Sequence, residues 1–517
     1  MRATTVSGVA QGPHWSSSWP IFWTVAGVLL VVMLAPLAIH QYPGFVDYPN
    51  HLARLHILVG QLPDGWQDYY SVRHVLIPNL ALDLICPVFV GLGLDPNAAL
   101  RLFVALAMTG FAGGTIAVGI AATGSPPWIA LVAFPIAYNR YLVLGLLNYL
   151  FSVGLALLLL AAWLHSRRLD AKWHRTGWLL VLSLGALALL TSHLAGYGLF
   201  LLAAFGYELG VFVGTGVAWR KKLHNPLSLA LAVAPSALIY LFVFDHSSGF
   251  SVSYGPLLYN KVTGSLSPFF SYTPGYAVAT ITVFVFCGWA VWRFRDAHGK
   301  LGWPLPAALT LIVLVLAFFV LPTGIMGHDQ LDKRLPVFVL ALGLGLLVVP
   351  YTPRLAATLV FCSFLLMAIK TAEIGVAWEK STQSFTAIRS ATQTLPLKAR
   401  LISFSFGPNV LAAFPPVRHA GAFAVIERAA FIPSLFAYPI YSMSVAYKAI
   451  PAAMASLARG GSWGDPNDVD WKNYCNAYDF ILVTFQYPLG SWPPCMTEYA
   501  AGAGFAIFKT TRREHTQ

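Results

Sequence analysis

Apolar positions along the chain gather into long runs separated by short polar connections. Eleven of these runs are long enough, or nearly so, to cross the ~30 Å hydrocarbon core of a bilayer. They fall at about 21–39, 102–122, 127–138, 142–164, 177–192, 194–219, 226–244, 276–292, 303–321, 335–350 and 355–372. A further apolar stretch at 78–94 carries Asp83 and Pro87 in its middle, and a central Asp costs roughly 2.5–3.5 kcal/mol on insertion scales. It reads instead as an amphipathic helix on the outer surface. Beyond residue 372 the runs shorten to strand length, at LISFSF (401–406), AFAVI (422–426), FILVTF (480–485) and GFAIF (504–508), with a candidate helix near 440–458. Gly, Pro and polar residues separate them, so a small α/β domain is expected there. The predicted fold is a polytopic α-helical membrane module over 1–372, followed by an extracytoplasmic α/β domain over 373–517.

Composition agrees with membrane insertion, since only 10% of residues are charged and mean hydropathy is +0.67, far below the roughly 25% charged residues of a soluble domain. The net charge of +12 sits in short clusters between the runs. That is topogenic patterning, and no interleaved basic and aromatic surface for nucleic acid is visible. Arg167, Arg168, Lys172 and Arg175, then Arg220, Lys221 and Lys222, then Arg293, Arg295 and Lys300, then Arg354, mark cytoplasmic connections. Their alternation puts the N-terminus inside, a first external loop at 40–101, a second at 245–275, and the C-terminal domain outside. The first run ends without a convincing cleavage site and is expected to stay as a span. Such a chain belongs in a bacterial cytoplasmic (inner) membrane. Cys475 and Cys495 both fall in the outer domain and either pair or stand as unrelated thiols.

Several polar residues are candidates for chemistry. Asp47 lies just past the first span, where DYPNHLAR begins a helix, and reads either as an N-cap or as a general base supported by His51 and Arg54. In GIMGHDQLDKRLPVF, His328, Lys333 and Arg334 suit a phosphate headgroup at the membrane surface, or else a solvated loop with local ion pairs. His193 with Tyr197 occupies a turn between two spans and fits a structural cap as well as a binding group. Tyr254 and Tyr259, in an aromatic loop, could stack on a sugar beneath a lid, or belong to an interfacial belt. Glu208 within a span is a functional candidate or a structural pair. The acidic run at Asp465, Asp468 and Asp470 lacks the spacing of a calcium loop.

Taken together, the loop order resembles the GT-C superfamily of integral-membrane glycosyltransferases, which includes protein mannosyltransferases, lipid A aminoarabinose transferases and oligosaccharyltransferases. The resemblance implies a catalytic acid soon after the first span, which Asp47 supplies, and an Arg opening a later span to contact a lipid-linked phosphate, which Arg334 supplies ahead of Leu335 and Pro336. It implies inverting transfer from a polyprenyl-phosphate sugar to a glycan, lipid or protein acceptor at the outer membrane face. No cofactor is assigned, and a divalent metal lacks the paired acidic motif common in that superfamily. The rival readings are a transporter or lipid flippase using Glu208, and a non-catalytic partner in envelope polysaccharide assembly.

Overall fold

The structure is a computed structural model that describes residues 18–73, 78–167, 172–214, 219–243, 252–325, 330–406, 416–437, 444–448, 450, 454, 466–485 and 492–511. Helices dominate up to residue 392. They are α1 (Ser18–Ile39), α2 (Tyr48–Leu58), α3 (Ala81–Gly91), α4 (Pro96–Thr123), α5 (Ala133–Ile136), α6 (Arg140–Leu144), α7 (Leu147–Ser166), α8 (Lys172–Ser192), α9 (Leu194–Val213), α10 (Trp219–Val243), α11 (Leu257–Ser265), α12 (Pro274–Phe294), α13 (Leu305–Val320), α14 (Leu331–Leu346) and α15 (Pro353–Thr392). Seven of them, α1, α4, α7, α9, α10, α12 and α15, are long and apolar enough to cross a membrane. Their outward residues are apolar too: Val31, Phe242, Val285 and Phe361 are all well exposed. A helix apolar on every side finds its solvent in lipid. The chain is a polytopic helical membrane protein that ends in a small α/β domain.

Two stretches depart from simple spans. The run at 127–138 is broken into a 3-10 turn at Trp128–Val132 and the short helix α5, with α6 following. Pro126, Pro127 and Pro135 punctuate it, so it cannot hold one continuous hydrogen-bond ladder. The stretch at 78–94 forms α3, whose 11 residues extend only about 16 Å, too short to span. Its outward stripe of Leu84, Val88 and Leu92 is exposed while Asp83 and Cys86 are buried.

The chain divides into two compact units. One comprises the chain up to Ala35, Ala105–Arg140 and Asn148–Glu373 and holds most of the long helices. The other comprises Pro36–Val104, Tyr141–Leu147 and Ile374–Gln517. Within this second unit the first long loop is bound to the C-terminal chain. Strand β1 (Tyr70–Val72) pairs antiparallel with β5 (Val445–Tyr447) in the register Tyr70↔Tyr447, whereas the short strands β2 (Val252–Ser253) and β3 (Gly324–Ile325) pair with each other inside the first unit. The Tyr70 hydroxyl donates to the Ala430 carbonyl and accepts from the Ile432 amide, both at 2.9 Å. A four-stranded sheet has the order β4 (Leu401–Phe406), β6 (Phe480–Phe485), β8 (Phe505–Thr510), β7 (Met496–Gly502), with β4 parallel to β6 and the rest antiparallel. Phe404, Phe431, Tyr478, Ile481 and Phe508 form its core. The Cys475–Cys495 disulfide lies at the edge of that core, with a Cα–Cα separation of 6.2 Å.

AFAVI is a correction to the predicted strands. The segment is helical, as a 3-10 stretch running into α16 (Phe423–Arg428), and it ends at Ala429 in the left-handed region. Every residue of Phe423–Ile426 is buried, and a short run buried all round has no periodicity to separate helix from strand. The helix expected near 440–458 meets a second correction where it is described, because residues 445–447 are strand β5. The rest of that segment lies largely outside the described residues.

The buried ion pair of the second unit joins Arg54 on α2 to Asp83 on α3. Arg54 Nη2 lies 3.0 and 2.9 Å from the two carboxylate oxygens, and Asp83 also accepts the Ser444 amide at 2.9 Å. Both side chains are sealed from solvent, so removing one partner strands the other in an apolar interior. Arg54→Met and Asp83→Leu singly are each expected to destabilise the detergent-solubilised protein by about 3–5 kcal/mol, and the double variant by clearly less than their sum. Thermal unfolding of the four proteins checks it.

Candidate functional site

Asp47 sits immediately before α2 with φ −90° and ψ 0°, and its side chain makes no capping hydrogen bond. The N-cap role is therefore not what holds the carboxylate; the backbone holds the residue. The Val46 and Asp47 amides donate to the Val143 and Leu144 carbonyls at 3.0 and 3.2 Å. This approach needs Gly145, whose φ of +87° is left-handed and where a Cβ would stand 2.8 Å from the Asp47 Cβ. Both conditions demand glycine.

The carboxylate so placed is nearly enclosed. Burial pushes Asp47 from 3.8 up to about 7, against the opposing pull of the Arg418 charge. Beside it stands His419, with Nε2 3.5 Å from Asp47 Oδ1, and burial, then the Arg418 charge and the neighbouring His51, hold that imidazole down at about 3. His51, one turn into α2, is held at about 4 by burial and then by Arg54. Its Nε2 lies 2.9 Å from the Gly145 carbonyl. That contact fixes the tautomer: Nε2 carries the hydrogen and donates, while the buried Nδ1 is a lone pair with no partner among the described residues. Asp47 thus has neutral imidazoles around it and one cation near it. A carboxylate in that state takes or gives a proton near neutral pH. Arg54, read from the sequence as a support for that base, is instead closed off by Asp83.

A second cluster lies in the membrane unit. Arg334 is in the first turn of α14, its guanidinium 5.5 Å from the Tyr149 ring centroid, and its carbonyl accepts the Tyr149 hydroxyl at 2.7 Å. His193 is the N-cap of α9, its Nδ1 accepting the Ala195 amide at 3.0 Å. The neutral ring then carries its hydrogen on Nε2, and that atom lies 3.4 Å from Arg334 Nη1. Two donors converge on one place, at the N-terminus of a 20-residue helix, an arrangement suited to an anion's oxygens. Lys333 turns elsewhere, 5.5 Å from the Tyr259 ring centroid, because consecutive helical residues point about 100° apart. The Lys–Arg pair read as one phosphate clamp is therefore two separate groups. Tyr254 and Tyr259 are both about half exposed, and Tyr259 belongs to α11 rather than to an irregular loop. His328, like residues 245–251 of the second external loop, lies outside the described residues.

Other candidates are occupied. Glu208 is paired with Arg167 and accepts from Trp163 Nε1 at 2.9 Å. Asp332, adjacent to the Lys–Arg pair, is bound by Lys261 at 2.7 Å. Among the described residues no group of three or more His, Cys, Asp or Glu could hold a metal ion. Reading the sequence missed His419 and Arg418. An Arg–His pair in the otherwise apolar PPVRHAGAF was the available signal, with nothing in its spacing to tie it to Asp47.

No family model matches the chain, nor does any curated protein sequence. Among solved structures it is similar to the crystal structure of the Archaeoglobus fulgidus oligosaccharyltransferase in complex with Zn and sulfate, at 10% identity and a TM-score of 0.41, over 89% of this chain and 68% of that one.

The raised Asp47 pKa has a stability consequence. Between pH 4 and 7 the folded chain keeps a proton that the unfolded chain has released, so this group's contribution to stability falls as pH rises through that window. Asp47→Asn removes the effect. Its melting midpoint is expected to match the wild type near pH 4 and to exceed it by about 2–8 °C at pH 8, as read by thermal unfolding at the two pH values. Equal midpoints at pH 8 would contradict the buried, reluctant carboxylate.

Proposed function

We propose that the chain is an inverting glycosyltransferase that uses a polyprenyl-phosphate sugar, with Asp47 as general base. The observation that carries this is the Asp47 carboxylate itself, nearly enclosed, free of a capping role, and poised to change protonation near pH 7. The acceptor's O–H bond breaks and its proton passes to Asp47. The oxygen's electron pair forms the new bond to the anomeric carbon, and the old carbon–oxygen bond breaks with its pair leaving on the lipid phosphate. Arg334 and His193, in the other unit, are donors of the kind that bind a lipid phosphate. Lys333 adds positive charge nearby without sharing their geometry, and Tyr254 and Tyr259 offer faces on which a sugar or the membrane interface can rest. The acceptor is a glycan, a lipid or a protein, and the reaction takes place at the extracytoplasmic face of the membrane. The domain assignment that goes with this reading is a transmembrane GT-C-like module over 1–372 and an extracytoplasmic domain over 373–517.

Transfer assays with purified protein and a panel of polyprenyl-phosphate sugars test it. Asp47→Asn is expected to lose at least about 10²-fold in turnover while staying folded, and Arg334→Ala to weaken use of the donor. Because the base must be ionised to act, wild-type turnover should rise with pH through about 7. Full activity in Asp47→Asn removes the base assignment. Wild-type inactivity on every donor together with vectorial movement of a lipid or solute in proteoliposomes supports the transporter reading instead.

A further inference from the structure

His419 and Asp47 meet through Nε2 and Oδ1, with side chains 10% and 14% exposed. The other ring nitrogen of His419, Nδ1, is buried and has no hydrogen-bond partner among the described residues. A neutral imidazole carries one hydrogen. On Nδ1 it would be a buried donor left unsatisfied, with the Nε2 lone pair turned against a carboxylate, and both are costly. On Nε2 it is carried by the atom nearest Asp47, 3.5 Å from Oδ1. The ring plane is held by Phe436, whose ring packs edge-on with centroids 5.3 Å apart. His51 cannot take this part, because its Nε2 is spent on the Gly145 carbonyl.

We infer that His419 is a positioning residue for the general base: its Nε2–H holds Oδ1 of Asp47 and leaves Oδ2 to receive the acceptor's proton. The inference rests on the reading of Asp47 as base. His419 gains and loses no proton in the step; it orients the carboxylate and favours its charged form, offsetting part of the cost of burial. The charged and titratable groups acting on this pair are Arg418, the neighbour of His419 on the 3-10 stretch, and His51 on α2. His51 in turn feels Arg54 and Asp83. The 141–147 segment approaches through Gly145, which has no side chain.

The test compares His419→Phe, which removes the donor, with His419→Gln, whose amide nitrogen reaches the position of Nε2. The first readout needs no substrate: the midpoint of the pH dependence of thermal stability, assigned to Asp47 by its disappearance in Asp47→Asn. It is expected to move up by about one pH unit in His419→Phe and to return toward the wild-type value in His419→Gln. The second readout is kcat and KM on whichever polyprenyl-phosphate sugar the wild type turns over. There kcat should fall about tenfold in His419→Phe with KM for the donor unchanged, and the acidic limb of the profile should move with the stability midpoint. If His419→Phe does not fold, His419→Asn replaces it, since that amide stops short of Asp47. An unmoved midpoint, or a shift that His419→Gln fails to reverse, overturns the positioning role. Full transfer by Asp47→Asn overturns the base reading alone, and the substrate-free midpoint still decides whether His419 holds the carboxylate.

Discussion

Charge inside an apolar protein must find its partner within the chain, and this constraint organises the molecule. Arg54 with Asp83, Lys261 with Asp332, Arg167 with Glu208 and Lys370 with Glu373 are buried pairs, and each carboxylate among them faces a cation. Several do further service as joints. Glu373 accepts the Tyr272 and Thr273 amides at 2.9 and 2.8 Å, and Lys370 reaches the Phe269 carbonyl and the Ser271 hydroxyl, so one pair on α15 fixes the chain leading into α12. Water is not at hand to satisfy such groups in a membrane, and satisfied pairs of this kind specify which helices are neighbours.

Asp47 stands out against that pattern. Its contact is a neutral imidazole at 3.5 Å, and its cation, Arg418, is felt without cancelling the effect of burial. A protein that pairs its other buried acids so thoroughly has held this one back. Keeping it there requires Gly145 at positive φ and two backbone hydrogen bonds from neighbouring residues. A carboxylate enclosed without a counter-ion in contact marks a site where stability has been given up, and function is the ordinary reason for that.

The membrane architecture was legible because length and apolarity are properties of a single segment. Partners are not. Asp83 read as an isolated cost within an apolar stretch, since its counter-charge, Arg54, belongs to another helix. With 11 residues, α3 is too short to cross. The strand signals worked for LISFSF, FILVTF and GFAIF, which lie side by side in one sheet, and failed for AFAVI, which is buried all round and coils. Strand β7 escaped notice because it pairs through one side only and most of its residues are exposed, leaving little apolar pattern to read. His419 was invisible for the same reason as the Arg54 pairing: more than 370 residues separate it from Asp47, and only the fold brings them together.

Lys333 and Arg334 carry the same lesson to finer scale. As neighbours in sequence they looked like one cationic grip on a phosphate, yet a helix sends consecutive side chains in different directions. Arg334 joins His193 and Tyr149 while Lys333 lies against Tyr259. Arg334 has a second donor beside it, and that donor's orientation is set by a hydrogen bond on the far side of its ring, from the Ala195 amide. A helix N-cap therefore does two things at once: it finishes α9, and it fixes the tautomer that leaves His193 Nε2 a donor beside the arginine. The bland and the functional readings of His193, posed as alternatives by the sequence, are compatible because the two ring nitrogens divide the work.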